Sequence, residues 1–387
     1  MAVKNNILYM KNSAPPMRRA VPRPAAAPLK KGMPDMWLFL IILFLVGIGV
    51  IMVFSASYYD TLSSDPFEYL KRQSIFAAVG LVVMLLAMNV DYQKLRFLSK
   101  PLMYGTIILL IAVFLFDDTK GSYRWIPLGP INLQPSEVAK FTLALFMADR
   151  LGRRNADPND LTGALGNVTI MLGIAAFLIY KEPDLGATVT LACIAMIILI
   201  SAGTRWLYMI GTVVLGGVAI AVRMTSNAYQ MRRIWGYLDP WSDPVDTGFQ
   251  IINSYYALGS GGFWGAGVGG SRQKLGFLPE QSTDFIFSIA GEELGFIGAG
   301  FIVVLFLLLA WRGYRIAIRC PDRYGSLLAV GLTTSLALQA ALNLGVVTGA
   351  LPVSGIALPF ISYGGSSLLM SMGTMGVLLN ISRYRSG

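Results

Sequence analysis

The stretch from Gly265 to Gly298 reads GAGVGGSRQKLGFLPEQSTDFIFSIAGEELGFIG and combines glycines, cations and carboxylates with an apolar segment. A polar loop that carries Lys274 and Asp284 runs directly into the apolar run, which itself contains Glu292 and Glu293. The rest of the chain consists mostly of apolar segments with a helical pattern, which are joined by short connections. We therefore expect the chemistry of this protein to be located in this stretch.

The composition is that of a membrane protein with many spans. Hydrophobic residues make up 55% of the 387 residues and charged residues only 13%, whereas a soluble domain has about 25% charged residues. The two cysteines, Cys193 and Cys320, predict no disulfide framework. Because the chain contains no histidine, a transition-metal site is not expected.

Ten apolar runs have a length that suits membrane-spanning helices, which need about 20 residues with a range of about 17 to 25. We therefore predict an all-α integral membrane protein with ten transmembrane helices. An even number of spans puts both chain termini on one side. The predicted spans are roughly 37–55, 74–89, 101–116, 137–150, 163–180, 185–202, 206–222, 285–311, 325–346 and 363–381.

The N-terminal residues 1–36 are polar, rich in Pro, Ala, Lys and Arg, and without helical periodicity. This pattern predicts a disordered basic tail, followed by one polytopic membrane domain over residues 37–383. The run from Trp37 to Phe54 is too long for a signal-peptide core and has no small-residue cleavage site after it. It should therefore be retained as the first span.

The distribution of charge predicts the orientation in the membrane. With the N-terminus inside, the inner segments hold 20 of the 31 Lys and Arg residues, and the outer segments hold 15 of the 21 Asp and Glu residues. The positive-inside rule therefore places both termini in the cytoplasm. The net charge of +10 is explained by the cations of the inner segments, which set the orientation in the membrane. Nucleic acid is therefore not expected as a partner.

One outer connection, about residues 223–284 between predicted spans seven and eight, is far longer than the usual connection of about 4 to 6 residues. Its aromatic and apolar residues argue against a solvated linker. Amphipathic pieces that lie in the membrane interface are predicted instead. Long ordered loops are usually functional.

Two further outer patches contain polar groups. Residues 121–140 include Glu137 and Lys140, which lie three apart on one face of a predicted helix. Two interpretations are possible: the residues form an internal ion pair, or they contact substrate directly. In both cases they lie on an interior polar surface. Residues 181–188, KEPDLGAT, are explained as a tight turn without a function.

The glycines of the opening stretch match G-x-G-x-x-G, but a dinucleotide site needs a preceding strand in a βαβ unit, which this chain lacks. We interpret Gly265, Gly267 and Gly270 as residues that let the loop bend closely against helices. The cations Arg272 and Lys274 at a polar–apolar boundary suit a lipid diphosphate headgroup. Anchoring to anionic lipid headgroups is the alternative.

Asp284 allows two interpretations. Thr283 or Asp284 could cap the eighth predicted span through its side-chain oxygen. A carboxylate at that position could instead act as a general base, with a pKa lowered by the helix N-terminus or raised by desolvation. Residues 348–369 interrupt a helical pattern at membrane depth and should line the same cavity, which adds Ser362 and Ser366 as candidate substrate contacts.

Long motifs in this order resemble the SEDS family (shape, elongation, division and sporulation), which comprises the FtsW, RodA and SpoVE proteins of bacterial cell-wall synthesis. The resemblance runs from about Phe54 to Arg383 and is most similar to the FtsW and SpoVE branch. The motifs are RWIPLGPINLQPSEVAK, EPDLGAT, YQMRRIWGYLDPWSDP, GFQIINSYYALGSGGFWGAGVG, QKLGFLPEQSTDFIFSIAGEELG and LPFISYGGSSL.

The resemblance implies ten transmembrane helices and polymerisation of lipid II, with a class B penicillin-binding protein as the cross-linking partner. It assigns the family's essential aspartate to Asp284. Many relatives have histidine where this chain has Ser282, so the carboxylate remains the candidate base. The matching positions that we assign to substrate binding are Arg124, Trp125, Glu137, Lys140, Lys274 and Glu280.

The leading hypothesis is an inverting peptidoglycan glycosyltransferase of the bacterial cytoplasmic membrane that serves cell division at the septum, together with divisome membrane proteins. Asp284 would take a proton from the acceptor hydroxyl, while Lys274, Arg272 and Lys140 would stabilise the leaving diphosphate. A divalent cation such as Mg²⁺ could share that role, although no carboxylate cluster demands one. The rivals are a lipid II flippase, a RodA-like elongation polymerase and a scaffold without enzymatic activity.

Overall fold

The computed structural model describes residues 31–62, 65–116, 123–129, 131–226 and 228–384. The predicted tail, residues 1–36, lies for the most part outside the described residues. The described helices are α1 Met36–Ser57, α2 Glu68–Asn89, α3 Tyr92–Ala112, α4 Pro135–Leu151, α5 Ala164–Lys181, α6 Leu185–Ala202, α7 Trp206–Ser226, α8 Ala228–Leu238, α9 Phe249–Ser260, α10 Ile286–Arg319, α11 Arg323–Val347 and α12 Gly365–Ser382.

A helix lies at each of the ten predicted spans. Seven helices of the described part are long and apolar enough to cross a membrane: α1, α2, α3 with its 3₁₀ extension to Leu115, α5, α6, α10 and α11. The chain is therefore a multi-pass membrane protein of mostly helical structure. The count of ten spans stays a prediction.

Helix α4 is enclosed by other helices of the bundle. Nearly all of its residues are buried, and it packs against α3, α11 and α6. A helix surrounded by protein can carry polar side chains, since other side chains rather than lipid meet them. This explains why Glu137 and Lys140 interrupt its apolar pattern.

The start of α1 and the ends of α10 and α12 lie together at one end of the bundle. The backbone N–H of Asp35 donates to Ser382 Oγ at 2.9 Å, and Arg312 donates to the Asp35 carboxylate at 2.7 Å. At the other end of α1, Ser55 donates to Glu293 at 2.6 Å. The two ends of the helix bundle are thus held by separate polar contacts.

Helix α10 is interrupted at Gly295, whose φ of 66° and ψ of −170° are not helical. The preceding loop fills the interruption. The N–H groups of Ala266 and Gly267 donate to the carbonyls of Glu292 and Glu293 at 2.9 and 3.0 Å, and Phe296 N–H donates to Gly262 O at 2.9 Å. Backbone groups freed at membrane depth need such partners.

The glycines of this loop allow the close contact. Gly265 has a φ of +81°, and a Cβ at this position would collide with the backbone of Glu293. Only glycine tolerates both conditions at once. The predicted bend is therefore confirmed, and it is a bend into the break of α10.

The connection before α10 is largely ordered as short helices, α8 and α9, joined by a 3₁₀ turn at Pro240–Ser242. The prediction of an all-α protein needs one correction. A small antiparallel hairpin is formed by β1, Ile126–Leu128, and β2, Ile131–Leu133, with Ile126 paired to Leu133. The hairpin forms because Gly129 takes a φ of +70° at its turn.

Candidate active site

Asp284 lies two residues before α10 and does not cap it. The N-cap position is occupied by Phe285, and no side-chain hydrogen bond caps this helix. The N–H groups of Thr283 and Phe285 both donate to Glu280 O, at 3.1 and 3.2 Å. This turn places Asp284 one residue too early for capping, so the capping interpretation was wrong.

The backbone around Asp284 is held at three consecutive carbonyls. Ser282 O accepts from Tyr363 N–H at 2.9 Å, and Thr283 O accepts from Ser362 Oγ at 2.6 Å. Asp284 O accepts from Asn343 Nδ2 at 2.7 Å. Because three separate donors fix three successive peptide groups, the position of the Asp284 side chain is defined before any ligand binds.

Asn343, on α11, is the residue that joins the two loops of the site. It is buried, and its Nδ2 donates to Ile356 O as well as to Asp284 O, both at 2.7 Å. One turn earlier on the same helix, Gln339 donates to Ala357 O at 3.1 Å. The loop between α11 and α12 is therefore fixed to α11 beside Asp284.

Burial, and then the negative charge of Glu280, raise the pKa of Asp284 to about 6 against the opposing charges of Arg233 and Arg124. Within the part of the chain that the structure describes, no donor forms a hydrogen bond with this carboxylate. A carboxyl group with such a pKa is ionised at neutral pH and basic enough to accept a proton.

Gly355 provides open space beside this carboxylate. Its φ is +69°, and a Cβ built on it would lie 3.6 Å from Asp284 Oδ2 and 3.7 Å from Arg124 Nη1. The carboxylate and the guanidinium therefore flank the same small region of the loop. In this arrangement the carboxylate is placed to accept a proton from a reacting group between the two side chains. The guanidinium is placed to stabilise negative charge that develops nearby.

Arg124 is held by the turn between α5 and α6. Its Nη2 donates to Pro183 O at 2.8 Å, and its Nε lies 3.6 Å from Asp184 Oδ2. Asp184 also caps α6 by accepting from Ala187 N–H at 2.9 Å. The interpretation of KEPDLGAT as a turn without a function was incomplete, because this turn fixes a cation of the site.

The same turn contains a buried acid that the sequence did not single out. Burial, and then the charge of Asp184, raise the pKa of Glu182 to about 8 against the opposing charge of Arg124. A buried acid with a strongly raised pKa is a candidate for a functional site. Glu182 belongs to the surroundings of Arg124.

Two predicted cations have partners inside the protein. Lys140 Nζ donates to Glu137 Oε1 at 2.7 Å and to Gln339 Oε1 at 2.6 Å. Lys274 Nζ donates to Glu293 Oε1 at 2.8 Å. Each is buried, so the internal ion pair that we considered for Glu137 and Lys140 is present. Substrate contact by either lysine stays a prediction.

The buried carboxylates of α10 explain the loop that precedes Asp284. Glu292 accepts from Arg272 N–H at 2.9 Å and also from Ser271 Oγ, and Glu293 accepts from Ser55 and Lys274. The side chain of Arg272 is exposed. These two glutamates therefore organise the loop from within the apolar segment.

The remaining predicted contacts differ in accessibility. The Ser362 hydroxyl accepts from Leu358 N–H at 2.8 Å and donates to Thr283 O, so it holds the loop. Ser366 Oγ is buried, and no hydrogen-bond partner for it is found among the described residues. Trp125 is partly exposed directly before β1, and Glu280 is exposed in a left-handed conformation with a φ of 54°.

Arg233, Asn343 and Gly355 were not identified from the sequence. Asn343 had a recognisable signal, since an amide within an apolar span is expected to face a partner or a cavity. Arg233, on α8, donates to Val353 O at 3.2 Å, a contact that no local pattern reveals. Gly355 was one of several loop glycines without a distinguishing feature.

The described residues contain no group of three or more His, Cys, Asp or Glu that could hold a metal ion. Mg²⁺ usually binds one or two carboxylates together with substrate phosphates. Asp284 and Glu280 fit that limited role in kind, but they form no all-protein site.

The model of a cell cycle protein family that comprises FtsW, RodA and SpoVE matches residues 36–387. A probable peptidoglycan glycosyltransferase FtsW of Geobacter sp. (strain M18) is 44% identical over 358 residues, covering 91% of this chain and 98% of the relative. Stage V sporulation protein E of Bacillus subtilis (strain 168) is 44% identical over 363 residues, covering 92% and 98%.

Solved structures show the same similarity. One, described as "Structural coordination of polymerization and crosslinking by a peptidoglycan synthase complex", has a TM-score of 0.74 at 29% identity and covers 91% of this chain and 99% of that chain. The rod shape determining protein RodA of Thermus thermophilus has a TM-score of 0.68 at 26% identity, covering 92% and 98%. With nearly the whole described fold matched, this chain belongs to the FtsW, RodA and SpoVE family of cell cycle proteins.

Proposed function

We propose that this protein is a peptidoglycan glycosyltransferase that polymerises lipid II into glycan strands. Its relatives of 41–44% identity include several named as probable peptidoglycan glycosyltransferases. The observation that carries the chemistry is the Asp284 carboxyl group, whose pKa is raised to about 6 beside two arginines. Fixed carboxylates with such a pKa are suited to general base catalysis at neutral pH.

The reaction proceeds as a single displacement at the anomeric carbon of the donor. Asp284 accepts the proton of the acceptor sugar hydroxyl as the new C–O bond forms, and the lipid diphosphate leaves with the electron pair of the bond that breaks. Inversion from an α-linked donor to a β-1,4 glycan follows from one displacement. Arg124 and Arg233 are the cations that the structure brings near Asp284, and they stabilise charge on the diphosphate.

This assignment changes the cations of the sequence-based hypothesis. Lys274 and Lys140 each hold a carboxylate closely, Glu293 at 2.8 Å and Glu137 at 2.7 Å, whereas Arg124 Nε lies 3.6 Å from Asp184. The guanidinium of Arg124 keeps its Nη1 beside the open space at Gly355. Nη1 is therefore the group of Arg124 that is placed to donate to a phosphate oxygen.

The topology proposed for this reaction has ten spans, both termini in the cytoplasm and the Asp284 site on the outer side of the bacterial cytoplasmic membrane. The Lys and Arg distribution supports this orientation. The contact of Asp35 with Ser382 supports the placement of both termini on one side, because it holds the start of the first helix beside the end of the last helix.

A class B penicillin-binding protein is the proposed partner, and lipid II is the substrate. Support comes from the similarity to a peptidoglycan synthase complex in which polymerisation and crosslinking are coordinated. We assign the activity to cell division at the septum, with the divisome membrane proteins. The equal identity to an FtsW and to stage V sporulation protein E makes localisation of a tagged protein to septum, sidewall or spore envelope the deciding measurement.

The test uses purified full-length protein in proteoliposomes that contain lipid II. Asp284→Asn keeps the shape of the side chain and removes its basicity, so glycan polymer should be lost while folding is retained. Asp239→Asn, at an exposed aspartate of the same loop, is the matched control and should polymerise normally. Full polymerisation by Asp284→Asn would disprove the role of the base.

The same vesicles separate the rival functions. Dye-quenchable movement of lipid II across the bilayer without formation of polymer would support the flippase. If neither polymer nor movement occurs and Asp284→Asn still supports growth in cells, the scaffold is supported. Glycan polymer from the wild-type protein excludes both as its sole function.

A further inference from the structure

A cavity of about 200 Å³ lies where α1 begins and α10 ends, at the end of α10 that is remote from Asp284. We call it the basic cavity. Three arginines and one aspartate line it, which gives a net charge of +2. The lining residues are Asp35, Trp37, Arg312, Arg315, Ile316 and Arg319.

The cations of the basic cavity exceed the acids that contact them. Arg312 donates to both oxygens of Asp35 at 2.7 Å, which uses the only carboxylate of the lining. Arg312 Nε is buried and has no hydrogen-bond partner among the described residues. Arg315, which lies 5.3 Å over the ring of Trp311, and Arg319 form no ion pair within the described part of the chain.

The basic cavity lies at the depth of lipid headgroups. Trp37 and Trp311 are 68% and 54% exposed, and exposed tryptophans mark the interface between hydrocarbon and water. From Arg312 to Arg319 the helix rises about 10 Å, which exceeds the roughly 5–7 Å of one headgroup layer, so the three arginines extend across that layer. The cations therefore sit where phosphate groups are found.

We propose that the basic cavity binds the phosphate of one anionic phospholipid. Arg315 and Arg319 donate to the phosphate oxygens, while Asp35 holds the guanidinium of Arg312 in place beside them. Guanidinium groups suit phosphate because two of their N–H groups can donate in parallel. Basic pockets between transmembrane helices are known to hold acidic headgroups.

A bound lipid would connect the first helix with the end of α10, since Trp37 lies on α1 and the arginines lie on α10. This proposal does not depend on the activity assigned to Asp284. It depends on the membrane setting alone, and the orientation of the protein does not enter the test.

The experiment measures the affinity of the purified full-length protein for phosphatidylglycerol by native mass spectrometry in detergent, with phosphatidylcholine as the zwitterionic reference. The test variant is Arg315→Gln with Arg319→Gln, which leaves the Asp35–Arg312 pair intact. The matched control is Lys100→Gln with Arg154→Gln, which removes the same charge from two exposed cations without a partner among the described residues.

We expect one phosphatidylglycerol per wild-type molecule and about 25-fold weaker binding in the test variant, because each arginine near anionic lipid contributes about fivefold. The control should bind within about twofold of the wild type. Equal affinity in both double variants, or equal retention of the two lipids, would overturn the proposal. Binding of inorganic phosphate without retention of phosphatidylglycerol would also overturn it.

A fold check keeps the result interpretable. The thermal midpoint of the test variant should match that of the control, because neither pair of residues forms an ion pair with the described chain. If the double variant unfolds, Arg319→Gln alone, at the more exposed of the two arginines, should show about fivefold weaker binding. Unchanged binding by that variant would also contradict the site.

Discussion

Replacing Asn343 by Leu should destabilise the fold and, in the molecules that remain folded, slow glycan polymerisation. The amide is buried and donates to Asp284 O and Ile356 O at 2.7 Å each. Leucine has a similar volume and no donor, so both carbonyls lose their partner. An unsatisfied buried group costs about 1–3 kcal/mol, so two such groups predict a loss of about 2–6 kcal/mol in the free energy of unfolding.

The effect on the reaction arises from position, because Asn343 acts through the backbone of Asp284. A displacement of about 1 Å in a catalytic group can cost about 100-fold in rate. We therefore expect kcat to fall about 10- to 100-fold in Asn343→Leu, with KM changed less than about twofold. Initial rates of polymer formation from lipid II, expressed per folded molecule, provide the measurement.

Asn380 offers a matched control at the other end of the bundle. It is also buried, donates to Met88 O at 2.7 Å and accepts from Tyr92 N–H at 2.9 Å. It lies 15 residues along α12 from Gly365, or about 22 Å at 1.5 Å per residue. Asn380→Leu should destabilise similarly and leave kcat unchanged. Equal kcat values for the two leucine variants would refute the positioning role of Asn343.

Three further predictions concern the same site. Polymerisation should fall as the pH drops through about 6, to roughly a tenth at pH 5, because protonated Asp284 is no base and its pKa is raised to about 6; a rate that stays flat from pH 5 to 8 would contradict this. Gly355→Ala should lower kcat/KM at least about tenfold, because the added methyl group fills the space beside the carboxylate. Gly276 is the control, since it has a similar positive φ and open surroundings. Gly276→Ala should cost only about 1–2 kcal/mol of stability and leave kcat/KM unchanged. Lys274→Met should destabilise the protein by about 3–5 kcal/mol, because it leaves Glu293 charged and buried. Adding Glu293→Gln should restore the thermal midpoint. If folding is restored and polymerisation is not, Lys274 contacts substrate after all.

The positions of the helices could be predicted from the sequence because hydrophobic length is a local property. Each of the ten predicted spans coincides with a helix. The boundaries were less accurate where helices continue beyond the apolar run, as in α10, which extends to Arg319 instead of residue 311. Polar residues can extend a helix beyond the hydrocarbon region at little cost, since water meets them there.

Asp284 could be identified from the sequence, but its two interpretations could be separated only in three dimensions. The capping interpretation failed because Glu280 O accepts from Thr283 N–H and Phe285 N–H. Because of this turn, Phe285 occupies the N-cap position and α10 begins at Ile286. A one-residue difference of this kind lies below the accuracy of any helix boundary read from sequence.

The sequence by itself determined the membrane class, the helix positions, the family resemblance and the acid at the mouth of α10. Only the tertiary structure decided which cations accompany that acid. Lys274 and Lys140 are paired with Glu293 and Glu137 inside the bundle, whereas Arg124 reaches the site from a segment 160 positions earlier in the chain. Hydropathy is a property of neighbours along the chain, but the partner of a charge is fixed by packing between distant segments, where a buried cation must find its carboxylate.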